Sequence, residues 1–229
     1  MTSLQKWGKS VRTTIPVMAG YLVLGAGFGI LLRTRGYGLG WALAMSAFIY
    51  AGSMQYVAID LLTGGASLLT TAVTTLLVNA RHLFYGISML ERYRAAGRYA
   101  PYLIFSLTDE TYSLVAARED LTGAECFRIS LLDQLYWVLG TALGSFAGAY
   151  LDFNTTGIDF SLTALFLTVF TEQWLETKDH APALIGLGIS IVCRLLFGAD
   201  SFLLPTMGGM LCCLLVLDAR RTKKGGESV

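Results

Sequence analysis

Residues Ser67–Leu90 read SLLTTAVTTLLVNARHLFYGISML, an apolar run long enough to cross a bilayer that nonetheless carries Asn79, Arg81 and His82 near its middle. A helix needs about 20 apolar residues to span the hydrocarbon core, and an ionised side chain held there costs about 2.5–3.5 kcal/mol on insertion scales. Such residues usually face a protein interior or an aqueous path, and mark ion pairs, substrate sites or relays. A second run has the same character, because Leu107-Thr108-Asp109-Glu110-Thr111 falls midway along the apolar stretch Pro101–Ala117. The two runs together point to a membrane transporter.

The rest of the chain agrees. Of 229 residues, 54% are apolar and 14% charged, and the mean hydropathy of +0.57 leaves too little polar surface for a soluble globule. Working outward from Ser67–Leu90, similar stretches lie at Thr13–Leu32, Trp41–Leu62, Pro101–Ala117, Ser130–Leu151, Phe160–Leu175, Pro182–Phe197 and Phe202–Leu217. The expected fold is all-α, a polytopic membrane protein of seven or eight transmembrane helices forming one integral domain over 1–229, with a polar tail at 220–229. Lys and Arg concentrate on cytoplasmic loops. With eight spans the side holding both termini collects ten of them, from Lys6 to Lys224, against five on the other side. Both termini are therefore expected in the cytoplasm, although the cluster Arg92, Arg94 and Arg98 opposes that orientation. The first apolar stretch contains Pro16 and lacks a small-x-small cleavage site before Arg33, so it reads as a retained span and not a signal peptide. Cys126, Cys193, Cys212 and Cys213 have no metal-ligand spacing and read as small apolar filler. A net charge of +1 gives no reason to expect a nucleic-acid partner.

The halves of the chain echo one another. Phe48 precedes Gln55 by seven residues, as Phe166 precedes Gln173, and Arg81–Gly86 is answered by Arg194–Gly198. Gly25 and Gly29 have counterparts in Gly140, Gly144 and Gly148. A duplicated three-span unit, residues 13–90 and 130–197, accounts for these matches, and repeats of that kind build substrate sites at their interface. Chance matching among Leu- and Gly-rich helices is the competing account.

Several residues are candidates for binding. Glycines four apart let helices approach closely, while Gly25–Gly29, with Gly27 at its centre, could instead unwind and offer backbone groups to a substrate. Gln55 can donate and accept in mid-span. Arg81 either snorkels to the interface or binds a carboxylate in a bidentate fork, with Asp109, Glu110 or a substrate as partner. Adjacent Asp109 and Glu110 diverge on a helix, so one can pair while the other takes up a proton. Asp133 and Glu172 are weaker candidates for the same task. No phosphate-binding loop, zinc-protease helix or serine-hydrolase elbow occurs, so neither ATP use, a metal, a cofactor nor an enzyme is expected.

These residues resemble a known family. Pro16, the Gly25–Gly29 glycines, Phe48-x-x-Ala51-Gly52-x-x-Gln55-Tyr56, Asn79-x-Arg81-His82-x-x-Tyr85-Gly86 and Leu107-Thr108-Asp109-Glu110 look like the AzlC family of branched-chain amino acid permeases, over roughly Arg12–Leu217. The resemblance implies a bacterial inner-membrane subunit that exports valine, leucine, isoleucine and sometimes methionine together with a small hydrophobic AzlD-type subunit. The chemistry fits: such a substrate needs a carboxylate binder, an ammonium acceptor and an oily pocket. Arg81, Asn79, Gln55, Phe48, Tyr56 and Gly27 are the expected substrate-binding set. Asp109, Glu110, His82 and Glu172 are the expected ion-pair or proton-coupling set. A membrane scaffold without transport of its own is the alternative from another class.

Overall fold

The computed structural model describes residues 3–118, 120–150, 160, 163–164, 167, 170–171, 174–175, 179–202, 205–206, 208–210 and 212–217. These residues form helices and links, with no strand among them. The chain divides into two compact units, Met1–Leu162 and Thr163–Val229. Glu172, the Phe166 and Gln173 echo, and the polar tail lie outside the described residues.

The first unit runs through α1 (Ser3–Thr34), α2 (Leu39–Phe48), α3 (Gly52–Thr63), α4 (Leu68–Val78), α5 (Arg81–Ala95), α6 (Ala100–Phe105), α7 (Asp109–Ala116) and α8 (Gly123–Tyr150). A short 3₁₀ turn, Gly97–Tyr99, precedes α6. Helices α1 and α8 form its most extensive interface. Here Gly25 and Gly29 meet Gly140 and Gly144, while Gly148 lies against Ile30 and Arg33: a Cβ on Gly25 would lie 2.9 Å from the Trp137 carbonyl oxygen, and one on Gly140 would lie 2.8 Å from that of Leu22. Only bare backbone fits at these crossings. The two glycine motifs thus pack on each other, a contact that accounts for both. Helix α1 continues unbroken through Gly25–Gly29, so the unwound alternative does not occur and Gly27 lies within regular helix.

Three expected spans are not single helices. Trp41–Leu62 divides into α2 and α3, Ser67–Leu90 into α4 and α5, and Pro101–Ala117 into α6 and α7. Each break has a local cause. Tyr50 sits between α2 and α3 with φ of 43°, a left-handed conformation that a side chain with a Cβ rarely adopts. Asn79 leaves helical geometry at the end of α4. Thr108 is extended, and its hydroxyl caps α7 by accepting from Thr111 N–H at 3.3 Å. Among the described residues, only Leu4–Thr34 and Ala181–Gly198 are helices long and apolar enough to cross a membrane unaided.

Buried polar ties fix α3 against its neighbours. Gln55 is fully buried: its Nε2 donates to Ser46 Oγ (3.1 Å) and its Oε1 accepts from Trp137 Nε1 (2.9 Å), while Ser46 Oγ donates to Thr141 Oγ1 (2.9 Å). Tyr56 donates to the Leu24 carbonyl at 2.7 Å and packs edge-on to Phe28. In the second unit α9 (Ala181–Ser201) turns sharply at Gly198, where φ is 76°.

Helix α8 starts with a capping box just ahead of its apolar span. Glu125 Oε2 accepts from Thr122 N–H (3.0 Å) and Thr122 Oγ1 (2.7 Å), and Glu125 N–H donates back to Thr122 Oγ1 (3.3 Å). The Thr122 backbone bond, then its hydroxyl, hold the Glu125 carboxyl below its ordinary range. A carboxyl depressed in the folded state stabilises above its unfolded value, and that contribution is lost as pH falls through the folded one. Glu125→Gln should therefore flatten the acid limb of the thermal-stability profile. Parallel profiles for the two proteins below neutral pH would contradict this.

Candidate functional site

The second halves of the three broken helices all begin around one point. Ser53 lies in the first turn of α3, Arg81 opens α5 and Asp109 opens α7. Arg81 donates to Ser53 Oγ at 2.6 Å and forms an ion pair with Asp109. Helix N-termini carry partial positive charge, so the Asp109 and Glu110 carboxylates in the first turn of α7 suit their position. The ion pair is only partly withdrawn from its surroundings, with side chains 32% and 24% exposed for Arg81 and Asp109.

An apolar cavity of about 740 Å³ lies beside the same breaks. Its wall includes residues from all three links: Tyr50 and Ala51, Asn79 and Ala80, and Leu107. Ile49, Leu76, Leu83, Ile87, Ile104 and Phe105 supply much of the oily surface, and His82 adds a polar edge. This size falls within the range of small-molecule sites, roughly 300–1,000 Å³. Arg81 and Asp109 are not part of the wall. They sit one residue beyond Ala80 and two beyond Leu107, at the ends of the same broken segments.

Two acceptors near the breaks are buried and have no hydrogen-bond partner among the described residues: the Asn79 amide oxygen and the Asp109 Oδ1. A buried acceptor left unmade costs about 1–3 kcal/mol, so these atoms are primed for a donor. His82 is held by its own turn, with Nδ1 3.2 Å from the Asn79 carbonyl oxygen, and stands edge-on to Tyr85.

The structure separates the residues singled out from sequence. Arg81, Asp109, Asn79 and His82 gather around the breaks. Gln55 and Tyr56 instead tie helices together away from the cavity wall, and Gly27 lies in the continuous α1. Phe48 ends α2 and is 81% exposed, outside the wall. Glu110 accepts from Tyr21 Oη at 2.7 Å in the interior. Sequence reasoning missed Tyr50 and Tyr21, which carry no signal there; Ser53 and Thr108 lie in runs that the sequence singles out, as a mid-span hydroxyl and as a Thr directly before two carboxylates, but were given no role.

Residues 16–151 match the family model described as AzlC protein. Over 209 residues the chain is 46% identical to the branched-chain amino acid transport protein AzlC of Bacillus subtilis, covering 89% of this chain and 82% of that protein. It is 42% identical over 207 residues to an uncharacterised membrane protein of Helicobacter pylori strain 26695, covering 89% and 91%. It is 27% identical over 222 residues to the inner membrane protein YgaZ of Escherichia coli, covering 90% and 87%. No solved structure matches the chain.

Proposed function

The chain belongs to the AzlC family, and from that premise we propose that it is a multi-pass inner-membrane carrier for branched-chain amino acids, working in export with a small AzlD-type subunit. The observation that carries this reading is the Arg81–Asp109 ion pair, set where three interrupted helices restart. Each helix pair α2–α3, α4–α5 and α6–α7 acts as one discontinuous span, giving seven or eight spans in all, with both termini in the cytoplasm. Interrupted helices are the means by which many secondary carriers place backbone groups and half-helix ends at a mid-membrane site.

A zwitterionic amino acid has the complementary charges of the ion pair. Its carboxylate takes the Arg81 guanidinium, whose planar fork favours bidentate binding. Its ammonium group carries three donors, for which the buried oxygens of Asp109 and Asn79 are acceptors. Exchange of one ion pair for two leaves the net charge of the site unchanged, which limits the cost of moving it between faces. The aliphatic side chain, valine, leucine, isoleucine or methionine, enters the apolar cavity. Rocking of the half-helices about the links at Tyr50, Asn79 and Thr108 then exposes the site alternately to each side.

Counterflow of labelled valine in proteoliposomes, with and without the small subunit, tests this. Accumulation against unlabelled valine, competed by leucine and isoleucine and not by lysine, is the expected result. Absence of counterflow for all four substrates in a folded complex would remove the assignment.

A further inference from the structure

Behind the helix breaks lies a second polar cluster, distinct from the ion pair. Asp133 of α8 is fully buried; its Oδ2 accepts from Thr111 Oγ1 at 2.8 Å, and its Oδ1 has no hydrogen-bond partner among the described residues. Glu110 belongs to the same network: the Tyr21 hydroxyl donates to Glu110 Oε2 (2.7 Å) and lies 2.7 Å from Thr108 Oγ1, which is 3.1 Å from the Thr111 Oγ1 bonded to Asp133. Tyr50 is 4% exposed, and its buried hydroxyl interacts with that of Tyr21 and stands in the field of Asp133 and Glu110. The same Tyr50 lines the apolar cavity and holds the φ of 43°. Strain of this kind persists where surrounding structure enforces it and recurs at functional and switching sites.

The Arg81 guanidinium is ion-paired with Asp109 and acts on Glu110 electrostatically, whereas the groups found around Asp133 are a hydroxyl, tyrosines and the Glu110 carboxyl. A fully buried carboxylate such as Asp133, set beside the half-buried Glu110, is costly to keep ionised. The charged groups facing Glu110 are Asp109 and Arg81, and the tyrosines around it are Tyr21, Tyr50 and Tyr85. Asp133 faces Glu110, Tyr50 and Tyr102.

We propose that Glu110 and Asp133 form the coupling site of the carrier, sharing a proton that reaches them past the Tyr50 hydroxyl from the substrate cavity. The proton arrives from hydronium at one face, binds one carboxyl oxygen and leaves to water at the other face, with no other bond made or broken. This assignment rests on the carrier reading above, and two measurements separate their failures. In proteoliposomes Asp133→Asn and Glu110→Gln should retain valine counterflow, which requires no net proton movement, yet lose about tenfold in accumulation driven by an imposed pH gradient. Gradient-driven accumulation equal to wild type in both variants overturns the proposal.

Infrared pH-difference spectra of the purified protein provide a readout independent of transport and of any folding defect in flux assays. The wild type should show the carbonyl band of a buried carboxylic acid that appears and disappears with pH and is lost in Asp133→Asn or Glu110→Gln. Absence of such a band in the wild type, or its persistence in both variants, overturns the proposal. If no substrate shows counterflow while the band titrates, the carrier reading fails and the proton site stands.

Discussion

Arg81→Ala should lower valine counterflow by about tenfold to a hundredfold, the effect of losing one charge-assisted hydrogen-bonding group of about 1.5–3 kcal/mol. The variant removes the ion-pair partner of Asp109 and the donor to Ser53. It therefore also leaves an incompletely screened carboxylate, which should lower thermal stability modestly, since both side chains are partly exposed. Two further variants separate binding from scaffolding. Arg81→Lys keeps the charge and loses the planar fork, so flux should fall while stability stays near wild type. The exchange Arg81→Asp with Asp109→Arg rebuilds an ion pair at the same place with the charges reversed. If the pair only holds α5 against α7, the double variant should transport as well as it folds. If Arg81 meets the substrate carboxylate, stability should recover and transport should not.

Gly144→Val and Gly29→Val should each prevent recovery of folded protein. A Cβ on Gly29 would stand 2.6 Å from the Ser145 amide nitrogen and 3.0 Å from the Gly144 carbonyl carbon, and one on Gly144 would stand 2.6 Å from the Ala26 carbonyl carbon. These neighbours are backbone, so no rotamer change relieves the clash. Overpacking of a core typically costs about 1–3 kcal/mol and more where the backbone must move, and here two long helices would have to separate along the main interface of the unit. Gly20→Val is the control in the same helix, because a Cβ there meets nothing within 4 Å. The expected pattern is loss of monodisperse protein for the first two variants and near-normal yield and melting temperature for the third. Equal behaviour of all three would show that the α1–α8 contact is not what holds this unit together.

The candidate site was legible in part. The amino-acid sequence narrows the partner of Arg81 to Asp109, Glu110 or a substrate, since an arginine in an apolar segment needs a carboxylate, and the structure puts it on Asp109. The divergence of Asp109 and Glu110 is legible from helical geometry, and they do face different neighbours, Arg81 and Tyr21. The roles of Gln55 and Tyr56 are not. An amide and a phenol in mid-span are equally suited to a ligand or to a neighbouring helix, and only the positions of Ser46, Trp137 and the Leu24 carbonyl decide for the latter. Phe48 is illegible for a simpler reason: a residue at a helix end has no fixed face until the following link is placed, and here it is exposed.

The breaks were hidden for a reason of scale. Hydropathy sums over a window about as long as a span, and Trp41–Leu62, Ser67–Leu90 and Pro101–Ala117 all remain apolar in such a sum. A break is decided by two or three dihedral pairs, and Tyr50 at φ of 43° has no counterpart in composition or periodicity.

By itself, then, the amino-acid sequence determined that the chain is mostly helical and apolar, that only a few of its charges fall inside the apolar segments, and which family it resembles. These follow from properties summed along the chain, where apolar area and backbone hydrogen bonding leave helices as the economical solution. Tertiary structure alone decided where the helices stop, that the glycine motifs of α1 and α8 meet, and that Ser53, Arg81 and Asp109 converge beside one cavity. Those outcomes depend on contacts between residues far apart in sequence, whose energies exist only once the helices are packed.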